Sequence, residues 1–149
     1  MIKTKQQINL INPIVNFPDS GVFYEGHIYN PYILMSSLMN SATHRIVVID
    51  DIVDDTILKY LEPIKNDVKI ILYTSSKNLI IRHDVALHNT YCNVVKLKFY
   101  QKSYDNYLII DNVVFHVSSS FNLLGKKLFG ISKMDAFNGN DLITCLDYE

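Results

Sequence analysis

The sequence predicts an α/β layered domain, a mixed β-sheet flanked by helices. Three observations carry this expectation. Two continuous apolar runs, Arg45–Asp50 (RIVVID) and Val68–Tyr73 (VKIILY), are separated by a segment of helical spacing. Buried parallel strands joined by a crossover helix read this way. A second helical segment and an alternating strand extend the pattern to strand–helix–strand–helix–strand. Two further apolar runs then meet across Asp111-Asn112, a pair that favours a tight turn. That predicts an antiparallel hairpin beside the parallel portion.

The elements follow in chain order. Pro13 and Pro18 interrupt the first twenty residues, and Asp19-Ser20-Gly21 reads as a turn. Residues 1–20 are therefore expected to form an arm or edge strand, and residues 21–149 a single domain. A helix is expected over 30–42. Asn30 can cap it, Pro31 suits its first position, and Leu34, Leu38 and Ala42 recur every four residues with Met35 and Met39 beside them. The methionines read as core filler. After the first strand, Asp54 can cap a helix over about 54–65, with Ile57, Leu58, Leu61 and Ile64 on one face. Thr74-Ser75-Ser76 opens a loop, and a helix over about 78–88 leads to a strand at Asn93–Tyr100. The hairpin pairs Tyr107–Ile110 with Val113–Val117. Beyond Ser118-Ser119-Ser120 lie a short polar helix or loop through Gly125-Lys126-Lys127, a strand at about 128–132 and a helix near 139–147.

Composition narrows the function classes. An apolar fraction of 48% with 19% charged residues excludes disorder as the main state. No apolar run approaches the roughly 18 residues of a membrane span, and MIKTKQQINL lacks the apolar stretch and cleavage site of a secretory signal. No membrane partner and a cytoplasmic location are the expectation. With 14 basic and 15 acidic residues the chain is not a strongly basic nucleic-acid binder. Cys92 and Cys145 have neither a disulfide framework nor metal spacing and are expected to be buried small hydrophobes.

The stretch SYDNYLIIDNVVFHVSSSFNLLGKKLFGISKM, residues 103–134, resembles the phospholipase D-like superfamily. In particular it is similar to the C-terminal domain of phage and mobile-element regulatory proteins of the KilA-N type. Asp105, Leu108 to Asn112, Val114, His116, Ser120, Leu124 to Lys127 and Ser132 to Met134 carry the likeness. Upstream, IVVIDDIVDDTIL and IILYTSS look like that domain's first two strands, so the likeness spans about residues 21–143. It implies a phospholipase D-like layered fold, a phage or mobile-element source, and a homodimer that joins two half-sites.

The superfamily signature is His-x-Lys-x-x-x-x-Asp, followed six residues later by Gly-Ser. The His attacks phosphorus, and the Lys stabilises charge on the phosphate oxygens. In this register Tyr104 stands at the His position and Asn106 at the Lys position; Asp111 is retained, and Ser118-Ser119 replaces Gly-Ser. No catalytic residue is therefore carried over. A tyrosine with its ordinary pKa near 10 is a poor nucleophile without an activating partner. Tyr104, Asn106, Asp111, His116, Ser118, Ser119 and Ser120 are expected to line a vestigial pocket.

The remaining candidates are weaker. Asp50, Asp51, Asp54 and Asp55 cluster after the first strand and read as an acid-rich helix start. Among His27, His44, His83, His88 and His116 no pair has the spacing of a helical zinc site. Neither a metal nor a cofactor is expected. Lys126, Lys127 and Lys133 could contact phosphate or nucleic acid, joined by Lys96, Lys98 and Lys102. Tyr24, Tyr29 and Tyr32 hint at an interface. The leading expectation is a non-catalytic interaction module that dimerises and binds a host macromolecule, a host protein first of all, as an inhibitor or regulator. The alternatives are a metal-independent phosphodiesterase or nuclease with an altered site, and a non-catalytic nucleic-acid-binding module.

Overall fold

A computed structural model describes residues 20–23, 31–103, 105–124, 126 and 129–147. Among these residues seven strands form one mixed sheet: β1 (Ser20–Phe23), β2 (Arg45–Ile49), β3 (Lys69–Thr74), β4 (Val95–Phe99), β5 (Asn106–Ile110), β6 (Val113–Val117) and β7 (Phe129–Asn138). Their order is β1-β7-β6-β5-β2-β3-β4. β2, β3 and β4 run parallel; every other neighbouring pair is antiparallel. Among the described residues the α-helices are α1 (Pro31–Asn40), α2 (Asp55–Leu61), α3 (Leu79–Tyr91) and α4 (Gly139–Asp147). This is the layered α/β fold that the sequence predicts. No helix among the described residues is long and apolar enough to cross a membrane.

β2 is central because both its faces are apolar. Ile46 and Val48 enter the larger core with Leu34, Met35, Leu38 and Met39 of α1, Ile57 and Leu61 of α2, and Ile81 and Val85 of α3. Val47 and Ile49 enter a smaller core on the second face, with Ile109, Val114 and Leu146 of α4. The methionines are fully buried filler, as expected. Asn93 ties the first layer together. Its Nδ2 donates to the carbonyls of Leu61 and Ile64 at 2.8 and 2.7 Å, and its Oδ1 meets His88 Nε2 at 2.6 Å.

Several boundaries differ from expectation. β7 runs to Asn138, past the expected end at 132, because its outer half is exposed and held by pairing to β6 rather than by burial. Ser20 and Gly21 do not turn; they pair with Ser132 and Ile131 in β1. α2 stops at Leu61, since Pro63 follows its cap residue Glu62 and lacks the N–H to continue. α3 continues three residues beyond 88. Cys92 and Cys145 are both exposed. Cys92 is the C-cap of α3, outside its buried stripe; on α4 that stripe is Leu142, Ile143 and Leu146, which leaves Cys145 outward.

One junction sets the strand registers. Asp111, at the hairpin turn, has φ 55°. Its carboxylate accepts from the backbone N–H groups of Thr43, His44 and Arg45 at 3.2, 2.7 and 3.1 Å, and from Thr43 Oγ1 at 3.1 Å. Arg45 answers by donating to Asp111 O at 2.7 Å and to Asn112 Oδ1 at 2.8 Å. Gly139 closes the junction, its N–H donating to Asn112 O at 2.9 Å. A Cβ there would lie 2.7 Å from Ile109 Cγ2, a fully buried atom group.

Desolvation pushes the Asp111 carboxyl up, but the bonds from His44, Arg45 and Thr43 together outweigh it and hold it below the ordinary range. A lowered folded-state value stabilises the fold above the unfolded value of about 3.9, and that contribution is lost as pH falls through the folded value. Asp111→Ala is expected to cost about 2 kcal/mol in urea unfolding at pH 7. Asp111→Asn tolerates the positive φ, costs less, and flattens the loss of stability as pH falls below about 4. Gly139→Ala is expected to lower the unfolding midpoint, because Ile109 has no room to move.

Candidate functional site

Ligand sites in open α/β sheets gather at the C-terminal ends of parallel strands. Here that end begins with Asp50, which is 1% exposed. Its Oδ1 accepts from Ser120 Oγ at 3.0 Å and from Ile52 N at 3.1 Å; its Oδ2 accepts from Phe121 N at 2.8 Å. Burial pushes the carboxyl above the ordinary range, and these hydrogen bonds pull it only part of the way back. Asp50 is thus a strut between the end of β2 and the short 3-10 turn Phe121–Leu123, whose Phe121 plugs the larger core.

The neighbouring acids have separate duties. Asp54 caps α2 by accepting from Thr56 N at 2.9 Å, and its Oδ2 accepts from Asn122 Nδ2 at 3.3 Å. Desolvation opposes ionisation of Asp54, but Thr56, Asn122 and the Lys126 charge outweigh it and lower its pKa. The Asp51 carbonyl accepts from Thr74 Oγ1 and Ser75 Oγ at 3.1 and 3.2 Å. The acid-rich segment therefore works as a helix start and a loop anchor. Among the described residues no group of three His, Cys, Asp or Glu is placed to hold a metal ion.

The expected pocket residues do not converge. Asn106, half-buried at the start of β5, lies at the same end as the serines. Ser118 Oγ accepts from Gly130 N at 2.7 Å, and Ser119 Oγ donates to Ser120 O at 3.1 Å. Asp111 instead stands at the opposite end of β5, a full strand of roughly 17 Å away. His116 lies on the other face. Alternation places Asn106 with Leu108 and Ile110 toward the larger core, and His116 with Val114 toward the smaller one. His116 Nε2 is 3.5 Å from Asp105 Oδ1, and its ring meets Tyr107 edge-on at 5.5 Å. Grouping Asp111 and His116 with the serines is therefore corrected. Tyr104 lies outside the described residues, as do His27, Tyr24, Tyr29, Gly125 and Lys127.

The lysines also separate. Lys126 follows the 3-10 turn near Asp54, and Lys133 sits on β7, 3.8 Å from Asp135. Lys96 and Lys98 sit on β4, with β6, β5, β2 and β3 between that strand and β7. Strand order, which is non-local, undoes their expected convergence. The sequence reading missed two participants, Asp50 as a buried strut and Asn122, whose Oδ1 is buried with no partner among the described residues. The acid that ends RIVVID was the available signal for the first.

Asp50→Ala leaves the Phe121 and Ile52 N–H groups without their acceptor. It is expected to cost about 2 kcal/mol by urea unfolding. A raised folded-state pKa has the opposite sign to that of Asp111. The contribution of Asp50 is largest below the unfolded value and falls as pH rises through the folded one. Asp50→Ala should therefore cost more at about pH 4.5 than at pH 7.

No family model and no curated protein matches the chain. Solved structures do share its architecture. NucT from Helicobacter pylori superposes on 87% of this chain and 91% of its own, at 13% identity and a TM-score of 0.56. Polyphosphate kinase from Porphyromonas gingivalis covers 87% of this chain with 24% of its own, at 10% identity and a TM-score of 0.60. TrmBL2, an archaeal chromatin protein, matches 97% of this chain at 18% identity and a TM-score of 0.48; the chain spans 57% of its length. At such identities the likeness is one of fold: a layered α/β domain built on a mixed sheet flanked by helices, consistent with a phospholipase D-like fold.

Proposed function

We propose that this chain is a non-catalytic phospholipase D-like interaction module that binds another macromolecule. The observation that carries the reading is the uncharged Asn106 at the strand end, where the resemblance puts the phosphate-stabilising Lys. Tyr104 at the nucleophile position points the same way. Phosphoryl transfer by that chemistry needs both a nucleophile and a cation beside the phosphate. Two other polar groups at that end hold backbone: Asp50 the 3-10 turn and Ser118 the start of β7. His116 faces the opposite side of the sheet, next to Asp105. In this reading the strand-end face joins two copies of the chain, as half-sites join in the resembling domains. A phage or mobile-element source and action on a host as inhibitor or regulator belong to the same proposal.

The test is an assay for phosphodiester cleavage on bis(p-nitrophenyl) phosphate and on single- and double-stranded DNA, with and without chelator. No turnover above the blank is expected. Chelator-resistant cleavage that disappears in Asn106→Ala or His116→Ala, with the unfolding midpoint unchanged, would establish the altered-site phosphodiesterase instead.

A further inference from the structure

Among the described residues, one helix covers the second face of the sheet. α4 sets Leu142, Ile143 and Leu146 over the smaller core. Beside it a groove of about 980 Å³ opens over the first halves of β2, β3 and β4. Alternation puts Lys69 on the same face as Ile71 and Tyr73, and pairing sets Lys96 beside Ile71 and Lys98 beside Tyr73. Where a second covering helix would demand apolar side chains, the groove presents three lysines.

The charge is concentrated. Arg45, Lys69, Lys96 and Lys98 line the groove against Asp67 and Asp147, in a chain whose net charge is −1. Asp147 is already engaged: it accepts from Tyr73 Oη and pairs with Lys98 Nζ at 3.2 Å. Lys98 also lies 5.6 Å above the Tyr73 ring, which fixes its position. Lys69 and Lys96 have no ion pair among the described residues. Lys96 and Lys98 are two residues apart on one strand, so their stems rise roughly 6.6 Å apart, comparable to the step between phosphates of an extended strand.

Two observations favour a nucleic acid over an acidic peptide. Peptides commonly dock by adding a strand to a sheet edge, and β4 is an edge. Asn89 blocks it: its Oδ1 accepts from Val95 N at 2.7 Å and its Nδ2 donates to Val95 O at 2.9 Å. Tyr91, 82% exposed, directly precedes in sequence Cys92 of the groove wall, and Val94 of that wall is 69% exposed. An open aromatic beside a basic groove is a stacking platform for a base.

We infer that this groove binds single-stranded nucleic acid, phosphates on Lys69, Lys96 and Lys98 and a base on Tyr91. The inference names a partner class for the interaction module and rests on that reading only in taking the partner to be a macromolecule. The test is fluorescence anisotropy of a labelled twenty-nucleotide oligothymidylate with the full chain. Binding should weaken with salt at a log–log slope of about −1.4 to −2.1, the release expected for two to three phosphates. The double change Lys69→Glu and Lys96→Glu should lower affinity about tenfold or more, and Tyr91→Ala several-fold. Lys133→Glu, on the far side of the sheet, should stay within about twofold. No binding at about 50 mM salt would overturn the assignment, as would an equal loss in Lys133→Glu. Competition by poly-glutamate as strong as by unlabelled oligothymidylate would transfer the groove to acidic peptides. Cleavage of the same oligonucleotide, followed in parallel, bears only on the non-catalytic reading, so the two can fail separately.

Discussion

The carboxylate of Asp111 is the constraint on which the rest of the sheet depends. It gathers the N–H groups that precede and open β2, while its own backbone turns between β5 and β6. Arg45 returns two bonds to the same turn, and Gly139 brings the end of β7 and the start of α4 against it. Five elements thus meet at one point, and the registers of the strands among them are set together. A slip of one residue between β2 and β5 would exchange the side chains of the two cores. Because Ile46 and Val48 belong to one core and Val47 and Ile49 to the other, such a slip would set every one of them against the wrong partners.

This gives the retained Asp a meaning independent of chemistry. The signature that the chain resembles joins a His, a Lys and an Asp, yet here the Asp stands a strand's length from Asn106, which occupies the Lys position. Its bonds are all to the scaffold. The scaffold therefore needs Asp111 whether or not phosphorus is attacked. Asp50 repeats the logic at the other end, a buried carboxylate whose acceptor oxygens are used up by Ser120, Phe121 and Ile52.

What could be read from the sequence was local. RIVVID and VKIILY declared themselves as strands because both faces of each are apolar, and the four-residue spacing around Met35 and Met39 gave α1 and its buried side. The Asp-Asn turn was legible for the same reason, since its chemistry lies within two residues. The outer half of β7 was not, because exposed pairing leaves no apolar pattern. The site was harder still. Motif spacing alone put Asp111 and His116 with the serines. Strand length separates the first, and side-chain alternation separates the second. The lysine groove is assembled from β3, β4 and the start of β2, strands that only the sheet order makes neighbours.

Among the described residues β1 has a single neighbour, β7, with Ser20 opposite Ser132. That pairing joins the two ends of the described chain, and closing so long a loop must precede any reward from it. The sheet can form from β2 to β7 without it, and β1 then joins as the last strand. Its amides should accordingly exchange with solvent deuterium through a local opening, while those of β2 wait for the whole domain to unfold.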